Sequence, residues 1–324
     1  YGVDTYSKRH YKGNSPSKKE TTMPVWQTDN CDHGIIRLHQ LRRSLVKVRT
    51  KRQLVEIDDY ENYGIGLCLD GWPQCDALYS PRFHQVFAHQ VLLFTQGELK
   101  LGVLGGGDFA LTHELTRYPY SSVYDIHIID WDLEFEELAK QHLRPIHHDS
   151  WKDPRVRVEI NHPDVFEYLP QTYERYHVIF GDLTDLSVAE GLLPNFGSYI
   201  KERLLPNGKF ITQAGELSRV PVPLKKFLDG LKFLAPHFRY FWISRTHIPF
   251  FGYEQVFVLA TDDKNFCPTM FSAGYIDYLI RSKIGHLLSD YSGAVHQSIF
   301  ALEPALKKII HGVLGSKFLQ YFLA

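Results

Sequence analysis

Methionine and cysteine are scarce in this chain, and long apolar runs are missing. Two methionines and four cysteines occur in 324 residues. The cysteines, Cys31, Cys68, Cys75 and Cys267, form no CxxC pair. A chain this long builds a core without a disulfide framework, so a reducing, cytoplasmic setting is expected. No window approaches about 18 uninterrupted apolar residues, so neither a membrane-spanning helix nor a membrane partner is expected. Residues 1–30 lack the apolar centre of a signal peptide, although a chain beginning at Tyr1 leaves a removed leader open. No HExxH, no two-Cys, two-His spacing and no GxSxG elbow is present, so no metal site and no serine hydrolase are expected. Net charge is also small, at -1, which argues against a whole-protein attraction to nucleic acid.

The even balance hides an asymmetry. Residues 1–52 carry twelve Lys/Arg against four Asp/Glu. The rest of the chain is therefore acidic and suits cationic ligands, while residues 1–44 read as a basic, solvated arm. The chain divides into that arm, a small antiparallel β domain over 45–82, an α/β domain over 83–263 and a helical segment over 264–324. The β domain rests on short runs at 45–48, 54–57 and 65–69, with a turn over 58–64. An apolar helix follows over 83–94. Strand-like runs at 100–104, 122–129, 156–160, 176–180 and 209–213 then alternate with helical stretches at 133–143, 188–204 and 222–234. Such alternation predicts a parallel, doubly wound, Rossmann-like sheet with ligands at the carboxyl ends of its strands. Two further β runs, at 240–243 and 255–260, close the series. Helical apolar spacing at Ile276, Leu279, Ile280 and Ile284, and at Ile299, Leu302, Leu306, Ile309 and Ile310, marks amphipathic helices that pack on the core or mediate association.

Three strand ends carry chemistry. The first strand runs into Gly105-Gly106-Gly107-Asp108, whose spacing differs from the dinucleotide pattern and suits a nucleoside carried on sulfur. The next strand ends in Asp130-Trp131-Asp132. Asp130 is the candidate for ribose hydroxyls and Asp132 for the cap of the following helix. The fourth ends in Gly181-Asp182-Leu183-Thr184-Asp185. Two carboxylates three residues apart can hold an amine and take its proton, and an alkylamine has a pKa of about 10. Leu69-Asp70-Gly71-Trp72-Pro73-Gln74 reads as a hairpin turn. The densest histidine cluster, His147-His148-Asp149, reads as a solvated loop.

Taken in order, the hairpin, Gly105-Gly106-Gly107-Asp108, Asp153-Pro154-Arg155, Gly181-Asp182-Leu183-Thr184-Asp185 and Thr212-Gln213-Ala214-Gly215 resemble the polyamine aminopropyltransferases. The GDLTD and QAG forms and His247-Ile248-Pro249 look most like the thermospermine synthase branch. The resemblance covers residues 45–262. It implies a β domain before a Rossmann-like catalytic domain, usually a homodimer, and a metal-free displacement. In that reaction an amine, spermidine here, takes the aminopropyl group of decarboxylated S-adenosylmethionine and methylthioadenosine leaves. Carried over by position, Asp182 is the general base and Asp185 its acceptor-binding neighbour. Asp108 holds the aminopropyl nitrogen, Gln53 contacts the donor nucleoside, and Gln74 belongs to the site. His84 and Phe250 fall at acceptor positions, and His162 at the adenine contact. The family's acid two positions before Asp130 becomes Ile128, its Asp-Glu pair becomes Tyr79-Ser80, and its Tyr-His-Glu becomes Phe83-His84-Gln85. Two other readings stay open: an S-adenosylmethionine-dependent N-methyltransferase on the same scaffold, and a non-catalytic relative. Asp108 opposes the methyltransferase, because a donor carboxylate would lie against it.

Overall fold

A computed structural model describes residues 25–28, 37–160, 165–183 and 195–321. Two sheets organise the chain. The first has five antiparallel strands in sequence order: β1 (Val25–Thr28), β2 (Leu38–Arg49), β3 (Leu54–Tyr60), β4 (Gly64–Leu69) and β5 (Trp72–Asp76). This sheet begins earlier than the boundary expected at residue 45. Most of β2 is exposed, so its carboxyl-terminal half alone shows an apolar signal. Its basic side chains are also partly committed, since Arg42 pairs with Asp59 and Glu61, Arg43 with Asp59, and Lys47 with Glu56. The β4–β5 connection is a two-residue hairpin. Asp70 (φ 49°) and Gly71 (φ 80°) both take the left-handed conformation that such a turn requires. The Asp70 carboxylate accepts the Leu54 amide at 2.9 Å, which fixes the hairpin against β3.

The second sheet has seven strands: β6 (Leu99–Gly105), β7 (Val123–Asp130), β8 (Val156–Ile160), β9 (Tyr176–Asp182), β10 (Leu204–Glu216), β11 (Tyr240–Ile248) and β12 (Tyr253–Thr261). Their order is β11-β12-β10-β9-β6-β7-β8. Pairs from β10 through β8 are parallel, whereas β12 runs antiparallel to both β10 and β11. A short turn, not a helical crossover, joins β11 to β12, and only antiparallel strands can be joined that way. The expected doubly wound, Rossmann-like sheet is present, and the two late strands add an antiparallel edge to it.

Side chains alternate between two apolar layers, as a sheet covered on both faces demands. On β6, Leu99, Leu101 and Val103 face one layer and Leu104 the other; on β9, Val178 and Phe180 oppose Ile179. Helices α1 (Ser80–Leu92) and α2 (Ala110–Thr116) supply the first layer. The chain continues with α3 (Leu133–His142), α4 (Val165–Gln171), α5 (Phe196–Glu202) and α6 (Pro221–Leu234), the last three covering the second layer.

The carboxyl-terminal helices α7 (Ala273–Ile284), α8 (Gly293–Ile299) and α9 (Pro304–Leu314) do pack on this core. Ile276, Ile280, Ile284 and Ile299 join the first layer, and Leu306, Ile310 and Leu314 the second. The Lys283 ammonium donates to the Leu92 and Thr95 carbonyls, at 3.2 and 2.8 Å, and so satisfies the end of α1. A third cluster fastens the two sheets together. Val46, Val55, Ile57, Leu67 and Cys75 pack against Ala110, Phe135, Ala139 and Leu143. This contact holds the β4–β5 hairpin over the carboxyl ends of β6 and β7.

Two local expectations change. Asp153-Pro154-Arg155 is structural. The Arg155 guanidinium is buried and donates to the Tyr118, Val123 and Thr116 carbonyls as well as to Asp153. His147 is not a solvated loop residue but fully buried, its Nε2 at 3.1 Å from the Ala139 carbonyl.

Candidate active site

A cavity of about 590 Å³ opens at the carboxyl ends of β6, β7, β9 and β10, under the β4–β5 hairpin. Gln53, Gln74, His84, Gly105, Gly106, Gly107, Asp108, Asp130 and Asp182 all line it. Phe250 does not. It is buried between His39, Tyr60 and Tyr63, with ring centroids 5.1–5.2 Å away, and Phe251 takes the cavity wall instead. Asp185 and His162 lie outside the described residues.

The glycine run has a steric reason. Gly105 (φ 81°) and Gly106 (φ 78°) are both left-handed. A Cβ on Gly105 would lie 2.2 Å from the Asp182 carbonyl oxygen, and one on Gly107 would lie 2.8 Å from Asp130 Oδ2. Bare backbone at these positions lets β6 end pressed against both acidic strand ends. The Gly107 amide donates to Asp130 Oδ2 at 3.0 Å, and the Trp131 and Asp132 amides donate to its Oδ1 at 2.7 and 3.1 Å. Burial pushes the Asp130 carboxyl up to about 6 despite these three bonds, with Asp108 adding to the rise.

Asp132 is the helix cap, accepting the Phe135 amide at 3.1 Å. Its other oxygen accepts the Thr50 hydroxyl at 2.7 Å and the Gln53 amide at 3.1 Å. One carboxylate therefore caps α3 and ties the small sheet to the catalytic half, which sets Gln53 at the cavity. Ile128, where the resemblance places an acid, is fully buried in the core. Of the residues at this strand end, Asp130 lines the cavity and Asp132 caps α3.

Across the glycine turn, Asp182, Asp108 and His84 converge. One ligand atom from each lies within 4.8 Å of the others. Asp108 Oδ1 accepts the Ala110 amide at 2.9 Å, and its Oδ2 lies 3.7 Å from the buried Cys75 thiol. His84 Nδ1 lies 2.8 Å from the Ser80 carbonyl, which assigns the ring proton to that nitrogen and leaves Nε2 as an acceptor. Burial pulls the His84 pKa down, against the attraction of Asp108, so the ring is neutral near pH 7. Burial, and then the charges of Asp108 and Asp130, push the Asp182 carboxyl well above the usual carboxylate range. Two carboxyl groups and an imidazole converging in this way can form a seat for a positive group, ammonium or metal ion.

Residues that motif reasoning did not assign also form the walls. Trp72 and Trp131 flank the mouth, with the Arg52 guanidinium 5.0 Å from the Trp131 ring centroid. Phe83, Phe251, Tyr253, Gln213 and Gln255 form the opposite end. Trp72, Trp131, Phe83 and Gln213 lay in quoted motifs without an assigned role; Phe251, Tyr253 and Gln255 carried no local signal, because the β11–β12 turn and β12 reach the site only through the fold.

Residues 80–269 match the family model described as the spermine/spermidine synthase domain, more than half of the chain. The chain belongs to the spermine/spermidine synthase family. A polyamine aminopropyltransferase of Sulfolobus acidocaldarius is 27% identical over 289 residues, covering 88% of this chain and 91% of the relative. One from Pyrobaculum aerophilum is 29% identical over 272 residues, covering 82% and 90%. The fold matches the crystal structure of spermidine synthase from Thermotoga maritima with a TM-score of 0.76 at 18% identity, over 94% of this chain and 98% of that one. Family membership extends across the glycine turn, both acidic strand ends and the Gln213 segment, all of which fall inside the matched span.

Proposed function

We propose that this protein transfers the aminopropyl group of decarboxylated S-adenosylmethionine to a polyamine, with spermidine as acceptor, and releases methylthioadenosine. The convergence of Asp182, Asp108 and neutral His84 carries this reading, because both reactants are cations. Relatives named polyamine aminopropyltransferases and a spermidine synthase solved with the transition-state analogue AdoDATO support it.

The donor nucleoside lies along the glycine turn with its ribose toward Asp130. Its aminopropyl ammonium sits at Asp108, and the acceptor enters from the Phe251 and Tyr253 end. Asp182 stands between the two. The amine loses a proton to the Asp182 carboxylate, and its lone pair forms a bond to the aminopropyl carbon attached to sulfur. The carbon–sulfur bond breaks, and its electrons neutralise the sulfonium as methylthioadenosine leaves. The protein contributes alignment and a base. Bound cations also lower the Asp182 pKa from its raised value in the empty cleft, so the base becomes ionised when its substrates are present.

The N-methyltransferase alternative needs a donor with its carboxylate intact. That group would lie against Asp108 and Asp182, where like charges repel. Incubation with decarboxylated donor and spermidine should yield a product heavier by one aminopropyl group, with one methylthioadenosine per product. A methylated amine made from S-adenosylmethionine instead would overturn the assignment.

A further inference from the structure

The cavity wall holds a polar group that the reaction scheme above leaves unused. Gln255 is fully buried, lines the cavity, and its Oε1 has no hydrogen-bond partner among the described residues. An unpaired buried carbonyl is costly and uncommon.

Neighbouring bonds set which way this amide points. The Gln213 Nε2 donates to the Leu183 carbonyl, the residue after Asp182. Gln213 Oε1 is then the atom left to accept, and it takes the Gln255 Nε2 at 3.4 Å. The Gln255 Nε2 also lies 3.3 Å from the Val256 carbonyl. With its nitrogen committed twice to acceptors, Gln255 can present only an acceptor oxygen to a ligand. The backbone is shaped to the same end. The β10–β12 ladder shifts register between Gln213 and Glu216, so that Glu216 pairs with Gln255. A bulge of this kind re-aims side chains, and here it lies at the cavity.

The order of strands gives the spacing. Asp130, Asp108 and Asp182 follow β7, β6 and β9, and beyond them come Gln213 on β10 and Gln255 on β12. Gln255 is two strands from Asp182, a lateral separation of about 10 Å between the strands. Side chains reaching inward from both ends leave room for an amine at Asp182 and a second nitrogen one alkyl spacer away.

We propose that Gln255 determines acceptor specificity: its Oε1 accepts an N–H from the second nitrogen of the polyamine, so the site selects di- and polyamines over monoamines. This rests on the aminopropyl-transfer reading and deepens it. The second nitrogen is an ammonium near pH 7 and donates to a neutral carbonyl without adding another charge to an already acidic cleft.

The test compares wild type, Gln255→Leu and Gln255→Glu with decarboxylated donor, using spermidine and 1-aminobutane as acceptors. Gln255→Leu removes the acceptor atom and, with it, the weak Nε2 contacts to Gln213 and Val256, so a thermal melt of each variant accompanies the kinetics. The expected result is a KM for spermidine raised about 10- to 100-fold, the usual worth of a bond to a charged group. In that variant kcat and donor KM should stay near wild type, and the preference for spermidine over 1-aminobutane should collapse. Gln255→Glu, which keeps an acceptor oxygen, should restore the preference. An unchanged spermidine KM and preference in Gln255→Leu would overturn the inference while leaving aminopropyl transfer intact. So would a matching loss for donor and both acceptors, which marks a purely structural role. A wild-type protein silent with every amine would remove the aminopropyl reading itself.

Discussion

Replacing Asp182 by asparagine separates catalysis from stability in a way the structure makes quantitative. The substitution keeps the shape of the side chain and removes its capacity to take a proton. Loss of an acid–base group costs about 10²- to 10⁴-fold in turnover, or about 3–5 kcal/mol in the barrier. Stability should move the other way or not at all. The carboxyl is held well above its usual range by burial and by the Asp108 and Asp130 charges, so folding must protonate it, a cost that a neutral amide does not carry. The backbone that positions residue 182, β9 paired with β6 and β10, does not depend on the carboxylate. The assay is methylthioadenosine release with saturating decarboxylated donor and spermidine, alongside a thermal melt of the same preparation. Turnover within about threefold of wild type would remove Asp182 from the mechanism. A loss of turnover accompanied by a lowered melting temperature would refute the claim that the carboxylate is a catalytic group and not a structural one.

Other consequences can be checked with similar means. Because the Asp182 pKa is raised, its ionised fraction grows as pH rises, so kcat/KM should climb through that raised value and then level; a profile that falls over the same range would contradict the assignment. Asp132→Ala removes the α3 cap and the acceptor shared by the Thr50 hydroxyl and Gln53 amide, at a cost of about 2–4 kcal/mol, which a thermal melt would show as a drop of roughly 3–6 °C. Donor KM should rise with it, since Gln53 loses its tether. Gly105→Ala drives a methyl to 2.2 Å from the Asp182 carbonyl oxygen at a left-handed position, so donor binding by calorimetry should be lost even where the protein still folds.

Much of this architecture could be read from the chain because local and long-range signals agreed. Parallel strands such as Leu99–Gly105 and Val123–Asp130 carry mostly apolar, buried residues bounded by turns, and an acidic residue lies at or just after each strand end. Asp108, Asp130 and Asp182 were legible for that reason: the topology of alternating strands and helices brings consecutive strand ends to one cleft. The role of Asp132 as a cap was equally local, set by the helix that follows it. The runs at 45–48, 54–57 and 65–69 marked parts of β2, β3 and β4, but β1 and the first half of β2 were not legible. Leu38–Arg49 is a mostly exposed strand rich in arginine, held between Val25–Thr28 on one side and Leu54–Tyr60 on the other. Phe250 and Phe251 are neighbours, and only packing decides which one faces the cavity. Phe250 fills the space between His39, Tyr60 and Tyr63, and none of those rings is near it in sequence. Gln255 was invisible for a related reason. It reaches the site because β12 runs antiparallel beside β10, a pairing that strand–helix alternation does not predict. The sequence also hid the linking role of Asp132, whose partners Thr50 and Gln53 belong to the other sheet region.

The central claim is that the acidic seat formed by Asp182, Asp108 and His84 takes an aminopropyl donor without a carboxylate. It is tested most directly by placing decarboxylated S-adenosylmethionine and S-adenosylmethionine together, in equal amounts, with spermidine and the wild-type protein, and weighing the products. Aminopropylated spermidine alone, with methylthioadenosine released in equal amount, is the predicted result. Methylated spermidine as the main product would contradict the account, because it would show that the seat accepts a carboxylate beside Asp108.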